Sequence, residues 1–238
     1  MDQKPLISII IPVYNHKEAL FKALFALSCQ TYRPIEIIII DDGSNEPLRV
    51  PKKQVSIDIP VQVVRQENKG APAARNHGFS LSSGEYVLFL DADIISKPHM
   101  LENMISTLQS HPEASYVYAG FHLGHKKIPA LLFSSERLNT YNYIPSTVLL
   151  RREVVLPWDE DLKRFQDWDL WLSLLKKGHI GFGLDEYLYE AIPRKGGISH
   201  WLPSFCYTAP FRWIPGIHSR VLAFEKAKDI IYEKHHLH

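Results

Sequence analysis

Two aspartates one residue apart, Asp91-Ala92-Asp93, directly follow the apolar run Tyr86-Val87-Leu88-Phe89-Leu90. Carboxylates this close at the end of a buried segment repel one another and are costly to desolvate unless a cation shares them. Hard divalent cations such as Mg2+ or Mn2+ take oxygen ligands, often one or two carboxylates together with a substrate's phosphates. A solvated turn with Asp93 capping a helix would use the same tripeptide. The neighbouring strand ends favour the cation: Asp41-Asp42-Gly43-Ser44 closes a second apolar run and Pro12-Val13-Tyr14-Asn15 a third. Asp41 can accept from a nucleobase N–H, and Tyr14 can offer a ring face or a hydroxyl beside it. Arg75, in Ala73-Ala74-Arg75-Asn76, can reach a base or phosphate, or pair with Asp41 or Asp42.

These residues have to be carried by a sheet. Leu6 to Pro12, Ile35 to Ile40 and Glu85 to Leu90 are short, rich in Ile, Val or Leu, and apolar on both faces. Strands covered by helices on both sides need that pattern. Lys17 to Cys29 reads as a buried helix, Val61 to Arg65 as a weaker strand, and Ala71 to Leu81 as a second helix. The alternation predicts a doubly wound α/β domain with right-handed crossovers, in which ligands bind outside the carboxyl ends of the strands. After about residue 120 the pattern is more mixed, with longer loops.

The chain has 238 residues and is 45% hydrophobic, enough for one sizeable core. With 27 Lys and Arg against 26 Asp and Glu, nothing in the charge balance calls for a nucleic acid. Two distant cysteines, Cys29 and Cys206, make no disulfide framework and suit a reducing compartment. The N-terminal apolar run is too short for a signal segment or a membrane span, so a cytoplasmic location is expected.

Taken in order, Ile10-Ile11-Pro12-Val13-Tyr14-Asn15, Ile40-Asp41-Asp42-Gly43-Ser44, Asn68-Lys69-Gly70 with Ala74-Arg75-Asn76, and Phe89-Leu90-Asp91-Ala92-Asp93 resemble the family-2 glycosyltransferases. Four linked motifs over roughly ninety residues are far more specific than any one of them. The resemblance implies the nucleotide-diphosphosugar transferase fold (GT-A-like), with a mostly parallel central sheet flanked by helices, and inversion at the anomeric carbon. It places Pro12, Tyr14, Asp41, Arg75 and Asp91 at the nucleotide sugar, with Asp41 and Arg75 on the base and Asp91 on the ribose. Asp91 and Asp93 fall at a divalent cation, Mn2+ or Mg2+. Uridine is the family's commonest base, so a UDP-sugar donor is expected. Ile94 stands where the family often has another acid.

Phe165-Gln166-Asp167-Trp168-Asp169-Leu170-Trp171-Leu172 is similar to the family's acceptor-side motif, whose Asp is the general base; Gln166 replaces the usual Glu. At about 100° per residue, Trp168, Leu170, Trp171, Leu172, Leu174 and Leu175 share one inward arc. Asp167 falls inside that arc, either as base or as helix cap, and Asp169 falls outside it, toward solvent. The stretch from His122 to Ser146, with Lys126, Lys127 and Asn139-Thr140-Tyr141-Asn142-Tyr143, suits an acceptor side or an ordinary surface loop.

Tyr187 to Ile192 reads as a strand. The basic, glycine-rich segment from Arg194 to His200 suits a lid over a pyrophosphate, with Arg194 or Lys195 on the leaving group. His200 is either a further ligand or a surface residue. Residues 1–200 form the transferase domain, 1–120 its donor half and 121–200 its acceptor half. Residues 201–238 form an extension whose last helix, Arg220 to about Lys234, Ser219 caps. From Arg194 onward there are seven Lys or Arg and three Asp or Glu, which suits either peripheral contact with an anionic membrane or packing on the domain. The expected activity is metal-dependent transfer of a sugar from a nucleotide sugar to a carbohydrate or lipid-linked acceptor, in polysaccharide, glycolipid or other glycoconjugate synthesis. Two alternatives are a non-catalytic nucleotide-sugar-binding protein and a sugar-1-phosphate nucleotidylyltransferase. The latter should carry a Gly-rich loop after the first strand, where Tyr14-Asn15-His16-Lys17 stands. A dinucleotide G-x-G-x-x-G is absent from the sequence.

Overall fold

A computed structural model of the chain describes residues 4–51, 59–193, 213, 214 and 216–237. The isoleucine-rich runs are strands because β-branched side chains pack well on a pleated surface. They are β1 (Ile7–Val13), β2 (Ile35–Asp42), β3 (Val61–Gln66) and β4 (Tyr86–Phe89). These four run parallel in the order β3-β2-β1-β4, with Ile9 beside both Ile37 and Leu88. Helices α1 (Lys17–Ser28) and α2 (Ala71–Leu81) make the crossovers.

The second half continues through β5 (Ile94–Ser96), α3 (Met100–Ser110), β6 (Ala114–Leu123), β7 (Lys126–Ile128), α4 (Ser135–Thr140), β8 (Val148–Arg151), α5 (Gln166–Lys176), β9 (Ile180–Ala191) and α6 (Ile217–His235). Among the described residues the sheet runs β3-β2-β1-β4-β8-β6-β9-β5, with β7 on β6. Strand β8 joins antiparallel to β4 and β6, so the sheet is parallel through β1 to β4 and mixed beyond them. The α/β fold with helices on both faces is therefore present.

Alternation along β1 divides the core. Ile7, Ile9 and Ile11 face α1 and α3, through Leu20, Leu24, Met104 and Leu108. Ile10 faces the opposite way, with Val87, Phe89 and the tryptophans of α5. Each fully buried Ile or Leu contributes about 1.5–3 kcal/mol to stability. Among the described residues no helix is long and apolar enough to cross a membrane.

Two expectations need correction. Asp169 does not face solvent: it is 3% exposed, because α6 covers the side of α5 opposite the sheet. Nor does Ser219 cap the last helix. Gly216 turns the chain at φ 85° and the helix begins at Ile217, so the Ser219 hydroxyl instead donates to the Gly216 carbonyl within the first turn (3.3 Å). Arg194, Lys195, His200, Cys206 and the tail before Trp213 lie outside the described residues.

Helix α2 lies against the sheet through Gly78. A Cβ there would meet Ile10 Cγ2 at 2.4 Å and Ile40 Cγ1 at 3.3 Å. Gly78→Ala should therefore lose about 1–3 kcal/mol from overpacking, outweighing alanine's helix advantage of about 1 kcal/mol. Urea unfolding measures the difference, and a more stable variant would show that α2 is free to move off the sheet.

Candidate active site

The carboxyl ends of β1, β2 and β4 bring the first three motifs to one sheet edge. Asn15, at φ 56°, ties two of them: its N–H donates to Ser44 Oγ (3.0 Å) and its Oδ1 accepts from Asn45 N–H (2.8 Å). Pro12 is half-buried beneath this junction, while Tyr14 is 47% exposed with its ring open to a ligand.

Asp41 and Asp42 are both buried, and each holds a turn. Asp41 accepts from Ser44 N–H (2.9 Å), Leu48 N–H (3.1 Å) and the Arg65 guanidinium (3.1 Å). Burial pushes its carboxyl up, but these donors outweigh burial and hold it below the usual carboxylate range. Asp42 accepts from the Gln66 side chain (2.9 Å), Lys69 N–H (3.0 Å) and Gly70 N–H (2.8 Å), fixing the loop that enters α2. Between the turns Gly43 stands at φ +75°, where a Cβ would lie 2.8 Å from Asn68 N. Only glycine fits there.

Arg75 is the centre of the site. It is 6% exposed, donates to Asp91 Oδ1 at 2.7 Å, and stacks 4.4 Å from the Trp158 ring centroid. Of the partners open to it from sequence, it takes neither Asp41 nor Asp42. The other Asp91 oxygen accepts from Ser146 Oγ (3.2 Å). Asn76 joins the halves of the chain: its amide donates to the Trp158 carbonyl and to Glu160 Oε1 (each 2.9 Å), and its Oδ1 accepts from Trp158 N–H (2.8 Å).

Asp167 opens α5, one residue after the helix begins. Its Oδ1 accepts from Trp168 N–H (2.9 Å). Burial drives its carboxyl above the usual range, against the lowering effect of Asn142, the Trp168 amide and the nearby Arg75 charge. A carboxyl raised in this way is a stronger proton acceptor than a solvated one. Among the described residues, the buried polar atoms without a partner include Arg75 Nε, Trp158 Nε1 and Asn142 Oδ1, all around these two acids. Native interiors rarely leave such atoms unmatched away from a ligand or water.

Asp93 lies in the tight turn between β4 and β5, half-buried, and its carbonyl accepts from Ile192 N–H (3.0 Å). Among the described residues no three His, Cys, Asp or Glu side chains gather to hold a metal ion. Asp91 and Asp93, half-buried carboxylates of one turn, are oxygen donors of the kind that hard divalent cations take. Asn142 and Ser146 belong to the stretch that suited either an acceptor side or a surface loop, and Trp158 carries no role from the sequence. All three sit more than fifty residues beyond Asp91 and Arg75, so no local spacing ties them to these residues.

Comparison with known proteins gives the family and the fold. Residues 8–155 match the family model described as Glycosyl transferase family 2. An uncharacterised glycosyltransferase of Rickettsia typhi is 31% identical over 196 residues, which are 75% of this chain and 61% of that protein. WfgD of Escherichia coli, a UDP-Glc:α-D-GlcNAc-diphosphoundecaprenol β-1,3-glucosyltransferase, is 30% identical over 183 residues, 74% of this chain and 72% of the relative. Among solved structures, Staphylococcus aureus TarS 1-349 in complex with UDP-GlcNAc superposes with a TM-score of 0.66 at 18% identity, covering 82% of this chain and 61% of its own. The mannosyltransferase PcManGT of Pyrobaculum calidifontis, in complex with GDP-Man and Mn2+, gives 0.63 at 16% identity, covering 82% and 59%. At such identities the structures speak for the fold. The chain thus spans about 60% of the length of several proteins it matches.

The raised Asp167 carboxyl carries a sign that can be measured. Its folded value lies above the unfolded one, so the folded state holds an extra proton between the two, and stability is lost as pH rises through that window. Asp167→Asn removes a carboxylate that costs stability once ionised. The variant should melt above the wild-type chain near pH 7, and the gap should close as pH falls to about 4. A variant that melts lower at neutral pH would show that the ionised carboxylate is fully satisfied where it stands.

Proposed function

The chain belongs to glycosyltransferase family 2, and on that premise we propose that it is an inverting transferase moving a sugar from a UDP-sugar to an acceptor hydroxyl. The observation that carries the reading is the pair of acids beside Arg75: Asp91, ion-paired at the end of β4, and Asp167, half-buried with a raised carboxyl at the start of α5. Asp167 takes the proton of the acceptor hydroxyl as that oxygen bonds to the anomeric carbon. The bond from that carbon to the diphosphate breaks on the opposite face, and its electron pair leaves with the nucleoside diphosphate. Tyr14 and Asp41 serve the base, and Pro12 shapes the floor beneath it. Arg75 pairs with Asp91 and orients it toward the ribose. A divalent cation held by Asp91 and Asp93 would supply positive charge to the leaving diphosphate.

The UDP-linked donors of WfgD and TarS support uridine. WfgD's diphosphoundecaprenol acceptor supports a lipid-linked acceptor, hence work in glycoconjugate synthesis at a membrane surface. The excess of Lys and Arg beyond residue 193 supplies charge for that contact. A protein that only bound nucleotide sugars would have no use for a half-buried, proton-accepting Asp167.

Thermal-shift screening against UDP, GDP, dTDP and CDP, with Mn2+ or with EDTA, tests the donor half. UDP with Mn2+ should stabilise most, by about 2.7 kcal/mol at a hundredfold excess over Kd. Asp93→Asn should lose the Mn2+ increment and keep the fold. Equal stabilisation in EDTA would remove the cation from the reading.

Single-turnover transfer from UDP-glucose to GlcNAc-diphosphoundecaprenol tests the acceptor half. Asp167→Asn should keep UDP affinity and lower transfer roughly 10²–10⁴-fold. Undiminished transfer would take the base role away from Asp167.

A further inference from the structure

Helix α6 lies beyond the 8–155 segment that the family model covers, yet it touches the first turn of α5 from several directions. That turn starts from Phe165, which stands at φ 58°, a left-handed conformation uncommon for a bulky side chain. The Phe165 carbonyl accepts from Asp169 N–H (2.9 Å), so the strained residue and the first helical turn are one unit, with Asp167 inside it. Strain of this kind persists only where surrounding contacts over-determine it.

Those contacts come from α6. Phe224 meets the Phe165 ring edge-on at 5.2 Å, and Tyr232 meets Trp168 in the same way at 5.9 Å. At the far end of α6, His235 Nε2 lies 2.7 Å and Lys234 Nζ 2.8 Å from Asp169 Oδ1. Lys234 also pairs with Asp159, in the segment that carries Trp158. His235 is 5% exposed and Asp169 3%, so the pair is shielded from water and its geometry is fixed. The Tyr232 hydroxyl donates to the Thr140 carbonyl (2.9 Å), two residues before Asn142, which hydrogen-bonds Asp167. Both elements that surround Asp167 are thus held by one helix.

We propose that α6 is a positioning element: by clamping Asp169 between Lys234 and His235, it holds the strained first turn of α5 and so aims Asp167 at the acceptor hydroxyl. The inference rests on Asp167 being the general base, as proposed above. Asp169, Lys234 and His235 touch no reacting atom in this scheme and act only through Asp167. The effect is one of aim, because displacing a reacting group by about 1 Å can cost roughly 10²-fold in rate.

The test uses the full chain with 13C-labelled aspartate carboxyls, the Asp167 signal being assigned by its loss in Asp167→Asn. In Lys234→Ala/His235→Ala, α6 no longer grips Asp169, water reaches the first turn, and the Asp167 carboxyl should titrate at lower pH than in the wild-type chain. Transfer from UDP-glucose should fall roughly 10²-fold with the donor KM unchanged. His235→Gln, whose amide N–H can replace Nε2–H toward Asp169, should restore both. Should the double variant not fold, His235→Ala alone, with Lys234 still in place, gives the same readouts. A lower melting temperature with unchanged Asp167 titration and unchanged kcat would reduce α6 to a structural brace and overturn the proposal. If Asp167→Asn itself transfers normally, the base assignment fails, while the titration still reports whether α6 governs that carboxyl.

Discussion

Carboxylates gathered at one edge of a sheet repel each other, and the guanidinium of Arg75 is what relieves the repulsion here. It pairs with Asp91, its charge reaches Asp167, and it sits over the Trp158 ring. Arginine suits the place better than lysine, since its planar group can stack and hydrogen-bond at once and stays charged when buried. The helix that carries it is made of small residues, Ala73, Ala74 and Gly78, so its backbone lies close to β1 and β2. The charge is therefore delivered from a rigid support, and the two acids it serves come from opposite halves of the chain.

The acids at this sheet edge do different work although their sequences look alike. Asp41 and Asp42 have their oxygens bonded to backbone amides of neighbouring turns, which holds the loops in place before any ligand arrives. Asp91 and Asp93 sit in a tighter turn, with Asp91 engaged by side chains. Anions satisfied by backbone donors are held still. Anions held by side chains can exchange those partners for a ligand at smaller cost.

Helix α6 explains why the start of α5 is ordered around a strained residue. A phenylalanine in a left-handed conformation costs about 1–3 kcal/mol, and the rings and charges of α6 offset that cost. The same contacts bury Asp169, which would be an unfavourable buried charge without Lys234 and His235.

Much of the donor half was legible in the sequence. Runs apolar on both faces gave β1, β2 and β4, turn residues bounded α1 and α2, and the acidic strand ends fell together because parallel strands share one carboxyl edge. Linked motifs also pointed to the family. The partners were not legible. Nothing local made Arg75 choose Asp91 over Asp41 or Asp42, since that choice depends on how α2 is packed against the sheet. Helical phase placed Trp168, Leu170 and Trp171 inward correctly, yet it left Asp169 in water. Periodicity shows which residues share a direction, not how many directions another element covers. His235 lies 66 residues from Asp169, and only tertiary packing could bring a helix from that distance to close the second face.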